Sequence, residues 1–151
     1  MSKWEDFPRD FLRRTMLNVE NYRGTYDVVN LINNCLGMIV IPNEHLIEAL
    51  PEYSFDHADK RFGIDKNNIT YEHKENYKLS NILRHVRIGL SHGLIEQRTQ
   101  DEEIIGVRFF DRADRDSPDN FSLELSINEL RQFAFSLAKA FLDDFPNNTQ
   151  Q

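Results

Sequence analysis

The sequence predicts a mainly α-helical fold, in which a helical bundle carries a small β-hairpin inserted before its last helix. Apolar residues recur at helical spacing in three segments of the first 93 residues, the pattern of helices with a buried face. Two shorter segments, 104–110 and 121–125, have the period-two character of strands. The 151 residues are in the size range of one domain. We therefore expect a single domain over 1–151 with a flexible polar tail at 147–151.

The first two helices are predicted from their apolar residues. Pro8 suits the first turn of a helix whose apolar positions are Phe7, Phe11, Leu12, Met16 and Val19. Gly24 then predicts a break. The second helix is apolar nearly all round and is expected in the core; it carries Tyr26, Val29, Leu31, Ile32, Leu36, Ile39 and Val40. Pro42 is predicted to end it, followed by a short turn at 43–50 and an irregular segment at 52–70.

A third helix is predicted from about Glu72 to Ser91, and its faces differ in character. One stripe is apolar and is expected against the core: Leu79, Ile82, Leu83, Val86 and Leu90. One polar flank holds Ser80, Arg84, Arg87 and Ser91, and the other holds Asn81, His85 and His92. Ile88 lies between the two polar flanks, which suits a helix whose second face meets a partner. Gly93 is expected to terminate the helix.

The remaining third of the chain predicts the hairpin and the last helix. The strands at 104–110 and 121–125 are separated by turn residues over 111–120. Ser126 and Glu129 have the spacing of a capping box, which opens a helix. The apolar stripe of that helix is Leu130, Phe133, Ala134, Leu137 and Phe141.

The charge of the chain is divided unevenly. Residues 1–99 carry a net charge of −1 and residues 100–151 a net charge of −6, out of −7 in total. Net acidity opposes sequence-independent binding to nucleic acid, because phosphate is repelled. The segment 73–92 is the exception, since it carries four Lys or Arg, one Glu and three of the five histidines.

Several classes of site are excluded by the residues present. The single cysteine, Cys35, excludes an intrachain disulfide and a cysteine-built zinc site, and its apolar neighbours predict a buried thiol. No phosphate-binding glycine loop and no His-Glu-x-x-His motif occurs. The aspartates between 111 and 119 lack the glycine and glutamate of a calcium loop, so we expect a solvated hairpin tip. No metal and no cofactor is predicted.

The distribution of apolar residues also predicts where in the cell the protein is located. The longest apolar run covers six residues, 36–41, far short of the roughly 20 that a membrane span requires. The N-terminus is polar and acidic, without the apolar stretch of a signal peptide. These features predict a soluble, cytoplasmic protein.

Arg87 and His92, separated by four residues at the end of the third helix, are the strongest candidates for chemistry. Their spacing alone occurs in many helical proteins. On that evidence, His92 interacts with the carbonyl groups at the helix C-terminus and Arg87 is a solvated surface group.

The segment 83–93 resembles the Arg-x(4–6)-His signature of the HEPN superfamily, small helical proteins that often cleave RNA. Segment 29–44 is similar to the second-helix segment of a HEPN branch met in mobile-element and defence proteins. In that branch, a hairpin and a helix resembling 125–134 complete the domain. The resemblance covers about residues 9–143, and the order of the segments supplies most of its specificity.

The resemblance implies a homodimer whose paired helices form a composite, metal-independent ribonuclease site. Arg87 and His92 then occupy the catalytic positions, and Ile88 is expected at the dimer interface. RNA is the implied substrate, and a separate antitoxin protein is the implied partner of a toxin-like member. Four further residues are expected to bind RNA or support the site: Lys78, Arg84, His85 and Ser91.

One position departs from the pattern of the superfamily. Many active members have a polar residue directly after the motif arginine, where this chain has Ile88. A non-catalytic HEPN module that binds RNA, a nucleotide or a protein partner therefore remains the alternative.

Overall fold

The computed structural model describes residues 7–24, 27–49, 62–64, 66–71 and 79–144. Within these ranges the chain forms four α-helices and four β-strands. The helices are α1 (Phe7–Asn21), α2 (Asp27–Ala49), α3 (Leu79–Ser91) and α4 (Ile127–Asp144). The strands are β1 (Ile69–Tyr71), β2 (Ile95–Gln100), β3 (Glu103–Arg112) and β4 (Asp119–Ser126), and a short 3-10 helix, Lys66–Asn68, precedes β1. None of the helices in these ranges has the length and apolar character to cross a bilayer.

The predictions for α1, α3 and α4 are confirmed within the described residues. The five apolar positions predicted for α4 are all buried, and so are four of the five predicted for α3. The capping box of α4 is present: Ser126 N–H donates to Glu129 Oε1 at 2.9 Å, and Glu129 N–H donates to Ser126 Oγ at 3.1 Å. The first part of the predicted third helix, 72–78, lies outside the described residues, as does the tail at 147–151.

The predicted end of α2 is wrong. The helix continues through Pro42 to Ala49, so the turn predicted over 43–50 is helical as far as it is described. A proline inside a helix removes one backbone hydrogen bond and crowds the preceding turn, but the segment that follows it, Asn43–Ala49, still forms helix. Cys35 is buried in α2 as expected, and burial raises the pKa of its thiol to about 12.

The predicted fold class is wrong, because the hairpin is only the centre of a larger sheet. The two predicted strands, β3 and β4, pair antiparallel, but β1 and β2 add to their outer edges. The result is a four-stranded antiparallel sheet with the order β1-β4-β3-β2. The protein is therefore a helical layer on an antiparallel sheet rather than a helical bundle with a hairpin.

The two missed strands have weak sequence signals for physical reasons. β2 is an edge strand with five of its six residues exposed, so its sequence, Ile95–Gln100, lacks the apolar alternation of a half-buried strand. The turn to β3 is made by Asp101 and Glu102, both with positive φ, without the asparagine or glycine that usually marks such a hairpin. β1 has only three residues, in a segment predicted to be irregular.

The core lies between the helices and one face of the sheet. Successive strand residues point to opposite faces, and in β3 and β4 the helix-facing positions are the buried ones: Val107, Phe109, Phe121, Leu123 and Leu125. α3 packs on β3, and α4 packs on both β3 and β4. This arrangement fixes the C-terminal end of α3, which carries the predicted site, beside the end of β3.

Candidate functional site

The end of α3 is held by a defined cap. Leu94 N–H donates to Gly89 O at 2.7 Å and Gly93 N–H donates to Leu90 O at 3.1 Å, which together form a Schellman motif. Gly93 has φ of 71°, the left-handed conformation that this motif requires. The prediction that Gly93 terminates the helix is confirmed, and His92 is the residue just before it.

Gly89 determines how closely α3 approaches the sheet. A Cβ atom at this position would lie 2.3 Å from the backbone oxygen of Phe110. Only glycine permits that approach, since no side chain tolerates such a contact with backbone. Phe110 N–H also donates to Leu94 O at 3.2 Å, which ties the residues after the helix to β3. The last turn of α3 is therefore fixed against the end of β3.

His85 and Asp111 form a polar contact between α3 and β3. His85 Nδ1 lies 2.8 Å from Asp111 Oδ2, and the imidazole stacks on the Phe121 ring with centroids 4.8 Å apart. The other carboxylate oxygen of Asp111 accepts a hydrogen bond from Arg112 N–H at 2.8 Å. Asp111 is buried, so the prediction that the whole aspartate cluster forms a solvated tip is wrong at this residue. It shares the helix-facing side of β3 with Phe109, which brings it to His85.

A cleft of about 650 Å³ lies between the end of α3 and the loop that joins β3 to β4. From α3 and its cap it is lined by Ile88, His92 and Leu94, and from β3 and the loop by residues 111–115. His92 is exposed, and among the residues that the structure describes its side chain has no hydrogen-bonding partner. The cleft therefore places a solvent-accessible imidazole opposite a loop that carries both arginines and aspartates.

Arg112, the last residue of β3, is bound by neighbouring side chains. Its Nε donates to Asp119 Oδ1 at 3.1 Å, and its guanidinium lies 5.1 Å from the centre of the Phe110 ring. Arg108 binds the same carboxylate, and the hydrogen bond from Arg108 lowers the pKa of Asp119 below its ordinary value. These contacts make a charged network on the outer face of the sheet.

The predicted site residues fall on different sides of α3. His85, Ile88 and His92 share the side that faces the cleft or β3, whereas Arg87 is half-buried and does not line the cleft. His92 is five positions after Arg87, which places the two side chains about 140° apart around the helix axis. One copy of α3 therefore does not bring the two motif residues to the same cleft.

The supporting residues predicted around the motif have separate positions. Arg84 is exposed on the flank of Arg87. The Ser91 hydroxyl donates to Ile88 O at 2.7 Å, a bond within its own helix. Lys78 lies outside the described residues.

The sequence interpretation missed the residues on the other side of the cleft. Asp111, Arg112 and Arg115 belong to a segment predicted to be a solvated loop. A local signal existed for Asp111, since it follows Phe109 at the two-residue period of helix-facing positions. No local signal indicates that the loop meets the end of α3, because that contact joins residues far apart in the chain.

Comparison with known protein families identifies the class of protein. The arginine and the exposed histidine in the last turns of α3 are the residues through which the sequence resembles HEPN proteins. Residues 1–148 match the family model described as HEPN pEK499 p136, and the chain belongs to that family, which confirms the resemblance. No curated protein and no solved structure matches the chain.

Proposed function

We propose that the protein is a metal-independent endoribonuclease of the HEPN type, acting as a toxin or in defence. The observation that carries the proposal is the position of His92. Its imidazole lies at the capped end of α3, where it is exposed to solvent and lines the cleft. Membership of the HEPN family supports the assignment. A toxin of this kind requires a separate antitoxin protein to hold it in check.

The two motif residues suit RNA cleavage by the neighbouring 2′-hydroxyl. His92 removes the hydroxyl proton, because histidine is the side chain most often used as a general base. The 2′-oxygen attacks phosphorus, the bond from phosphorus to the 5′-oxygen breaks, and the leaving 5′-oxygen takes a proton from water, while His92 returns its proton to solvent. Arg87 stabilises the phosphorane, because its planar guanidinium presents a permanently charged pair of donors to phosphate oxygens. The products are a 2′,3′-cyclic phosphate and a free 5′-hydroxyl, and no step requires a metal.

The proposal places the site between two copies of the chain. Arg87 does not line the cleft of its own chain, and this supports a site in which the arginine and the histidine come from different copies of α3. Ile88 lies on the cleft side of α3 and is 36% exposed, so it is available to a second copy. In a two-fold dimer the same face meets itself, so paired Ile88 side chains would pack at the axis with an Arg–His pair on either side.

A non-catalytic HEPN module is the second candidate. Ile88 favours it, because this apolar side chain lines the cleft at the position where many active relatives carry a polar residue. Such a module would bind RNA, a nucleotide or a protein partner in the same cleft without cutting RNA.

Cleavage in the presence of a chelator tests the proposed chemistry. A single-stranded RNA incubated with the purified protein and EDTA should be cut as fast as without EDTA, because Arg and His supply every group. The 5′ fragments should carry 2′,3′-cyclic phosphates and the 3′ fragments free 5′-hydroxyls, measured by mass spectrometry. Activity lost in EDTA and restored by a divalent ion would contradict the mechanism. Binding of RNA without any cleavage would favour the non-catalytic module.

A further inference from the structure

The loop that joins β3 to β4 faces His92 across the cleft. Its charged residues differ in whether the structure gives them a hydrogen-bonding or ion-pair partner. The loop residues that line the cleft include Asp111, Arg112, Asp114 and Arg115. Three of these four make hydrogen bonds or ion pairs with their surroundings. The fourth, Arg115, is the charged group of this loop that a ligand could bind.

The engaged groups have their partners on or near the sheet. Asp111 is held by His85, and Arg112 is held by Asp119. Asp114 is bound within its own turn: its Oδ1 accepts a hydrogen bond from Asp116 N–H at 3.0 Å, and hydrogen bonds from Ser117 and Asp116 lower its pKa. These contacts order the loop and engage the carboxylates of Asp111 and Asp114.

Arg115 has no such partner among the residues that the structure describes. It is exposed at the turn that Asp114 organises, where the backbone N–H of Ser117 donates to Asp114 O at 3.2 Å. An ordered turn therefore presents one unpaired guanidinium to the cleft, on the side opposite His92. Guanidinium groups bind phosphate through two parallel hydrogen bonds, so an unpaired one at this place suits an anionic ligand.

The cleft also has apolar lining. Leu94 from the α3 side and Ala113 from the loop contribute to it, and they provide a surface against which a nucleobase can pack. A base reaches such a surface only when it is not stacked in a duplex, as in single-stranded RNA. An unpaired guanidinium beside apolar lining suits a phosphate and its neighbouring base.

We propose that the cleft between the end of α3 and the β3–β4 loop binds single-stranded RNA, with Arg115 on a phosphate and the base against Leu94 and Ala113. This inference rests on the proposed ribonuclease function, and it assigns to Arg115 the positioning of the strand that His92 cuts. The bound phosphate then lies in the same cleft as His92, the group proposed to take the 2′-hydroxyl proton.

Binding of an uncleavable probe tests the site apart from catalysis. The probe is a fluorescent single strand of 2′-O-methyl RNA of about 12 nucleotides, within the range of known single-strand sites; it lacks the attacking hydroxyl. Arg115→Ala should raise the Kd about three- to tenfold and reduce the slope of log Kd against log salt by about 0.7, the loss of one phosphate contact on a single strand. An RNA duplex of the same sequence should bind more weakly than the single strand.

Arg14→Ala is the matched control, because Arg14 is an exposed arginine on α1, which packs on α2 and α4 away from the cleft. It should change neither the Kd nor the salt slope. Equal effects of Arg115→Ala and Arg14→Ala, or equal binding of duplex and single strand, would overturn the inference.

RNA binding in the cleft and RNA cleavage can be tested separately. A parent protein that cuts RNA while Arg115→Ala binds the probe unchanged would overturn the cleft assignment and leave the ribonuclease function standing. A parent that binds the probe through Arg115 and cuts no RNA would overturn the ribonuclease function and support the binding site.

Discussion

Two histidines of α3, His85 and His92, lie one heptad apart on the same side of the helix and have opposite environments. His85 is 20% exposed, bound to the buried carboxylate of Asp111 and stacked on Phe121. His92 is exposed at the helix cap and has no hydrogen-bonding partner for its ring within the described residues. The same residue type therefore serves to join α3 to the sheet at one position and remains accessible to a ligand at the other.

The difference arises from what lies beyond each position. At His85 the helix runs over the paired residues Asp111 and Phe121 of β3 and β4, so the imidazole is covered and its nitrogen is used. One heptad later the helix has ended at Gly93 and the β3–β4 loop has diverged from it, which leaves the cleft. Accessibility, rather than position in a motif, is what separates a candidate acid or base from a structural histidine.

The largest effect is expected from removing the accessible histidine. His92→Ala should lower RNA cleavage by roughly 10²–10⁴-fold, the usual contribution of a positioned acid or base, with the melting temperature unchanged because the side chain is exposed. Arg87→Ala should also be severe, and Arg87→Lys should recover only part of the rate, because lysine keeps the charge and lacks the two-pronged geometry. Initial rates on one RNA substrate measure all three. Cleavage at the parent rate by both alanine variants would contradict the assigned roles.

A smaller effect, on stability rather than chemistry, is expected at the covered histidine. His85→Ala should lower the free energy of unfolding by about 1–3 kcal/mol, because it leaves the buried Asp111 carboxylate without its partner. Thermal unfolding should show a fall of about 2–4 °C for each kcal/mol in a chain of this size. His85→Phe keeps an aromatic ring over Phe121 and removes the hydrogen bond, so it separates the two contributions. Unchanged stability in His85→Ala would mean that the pair does not hold α3 to β3.

An effect on assembly alone is expected at Ile88, which lies between the two histidines on α3. Ile88→Asp should weaken dimer formation about tenfold or more, because a two-fold interface would bury the new carboxylate against its own copy. Light scattering over a concentration series measures it. Ile105→Asp is the matched control, since Ile105 is exposed to a similar degree, 38%, but lies on β3. A parent protein that is strictly monomeric at micromolar concentration would exclude the composite site.

The family and the main helices were predictable from local signals. The apolar stripes of α3 and α4, the capping box at Ser126–Glu129 and the terminating Gly93 each depend on residues within a few positions of one another. Arg87 and His92 stood out for the same reason, because their spacing is a property of one short segment. Local signals failed at Pro42, where the residue type predicted an end that the helix does not have.

The sheet and the far side of the cleft were decided by the tertiary structure. β2 is exposed along nearly its whole length and becomes a strand because β3 offers an edge to pair with. The bond between His85 and Asp111 joins residues 26 positions apart, and the cleft forms only because Gly89 lets α3 approach the backbone of Phe110. By itself the sequence determined the helices, the caps and the motif, because each arises from neighbouring residues. The tertiary structure decided that His85 is covered and His92 is exposed. This difference depends on where β3 ends relative to α3, which is set by the packing of segments far apart in the chain.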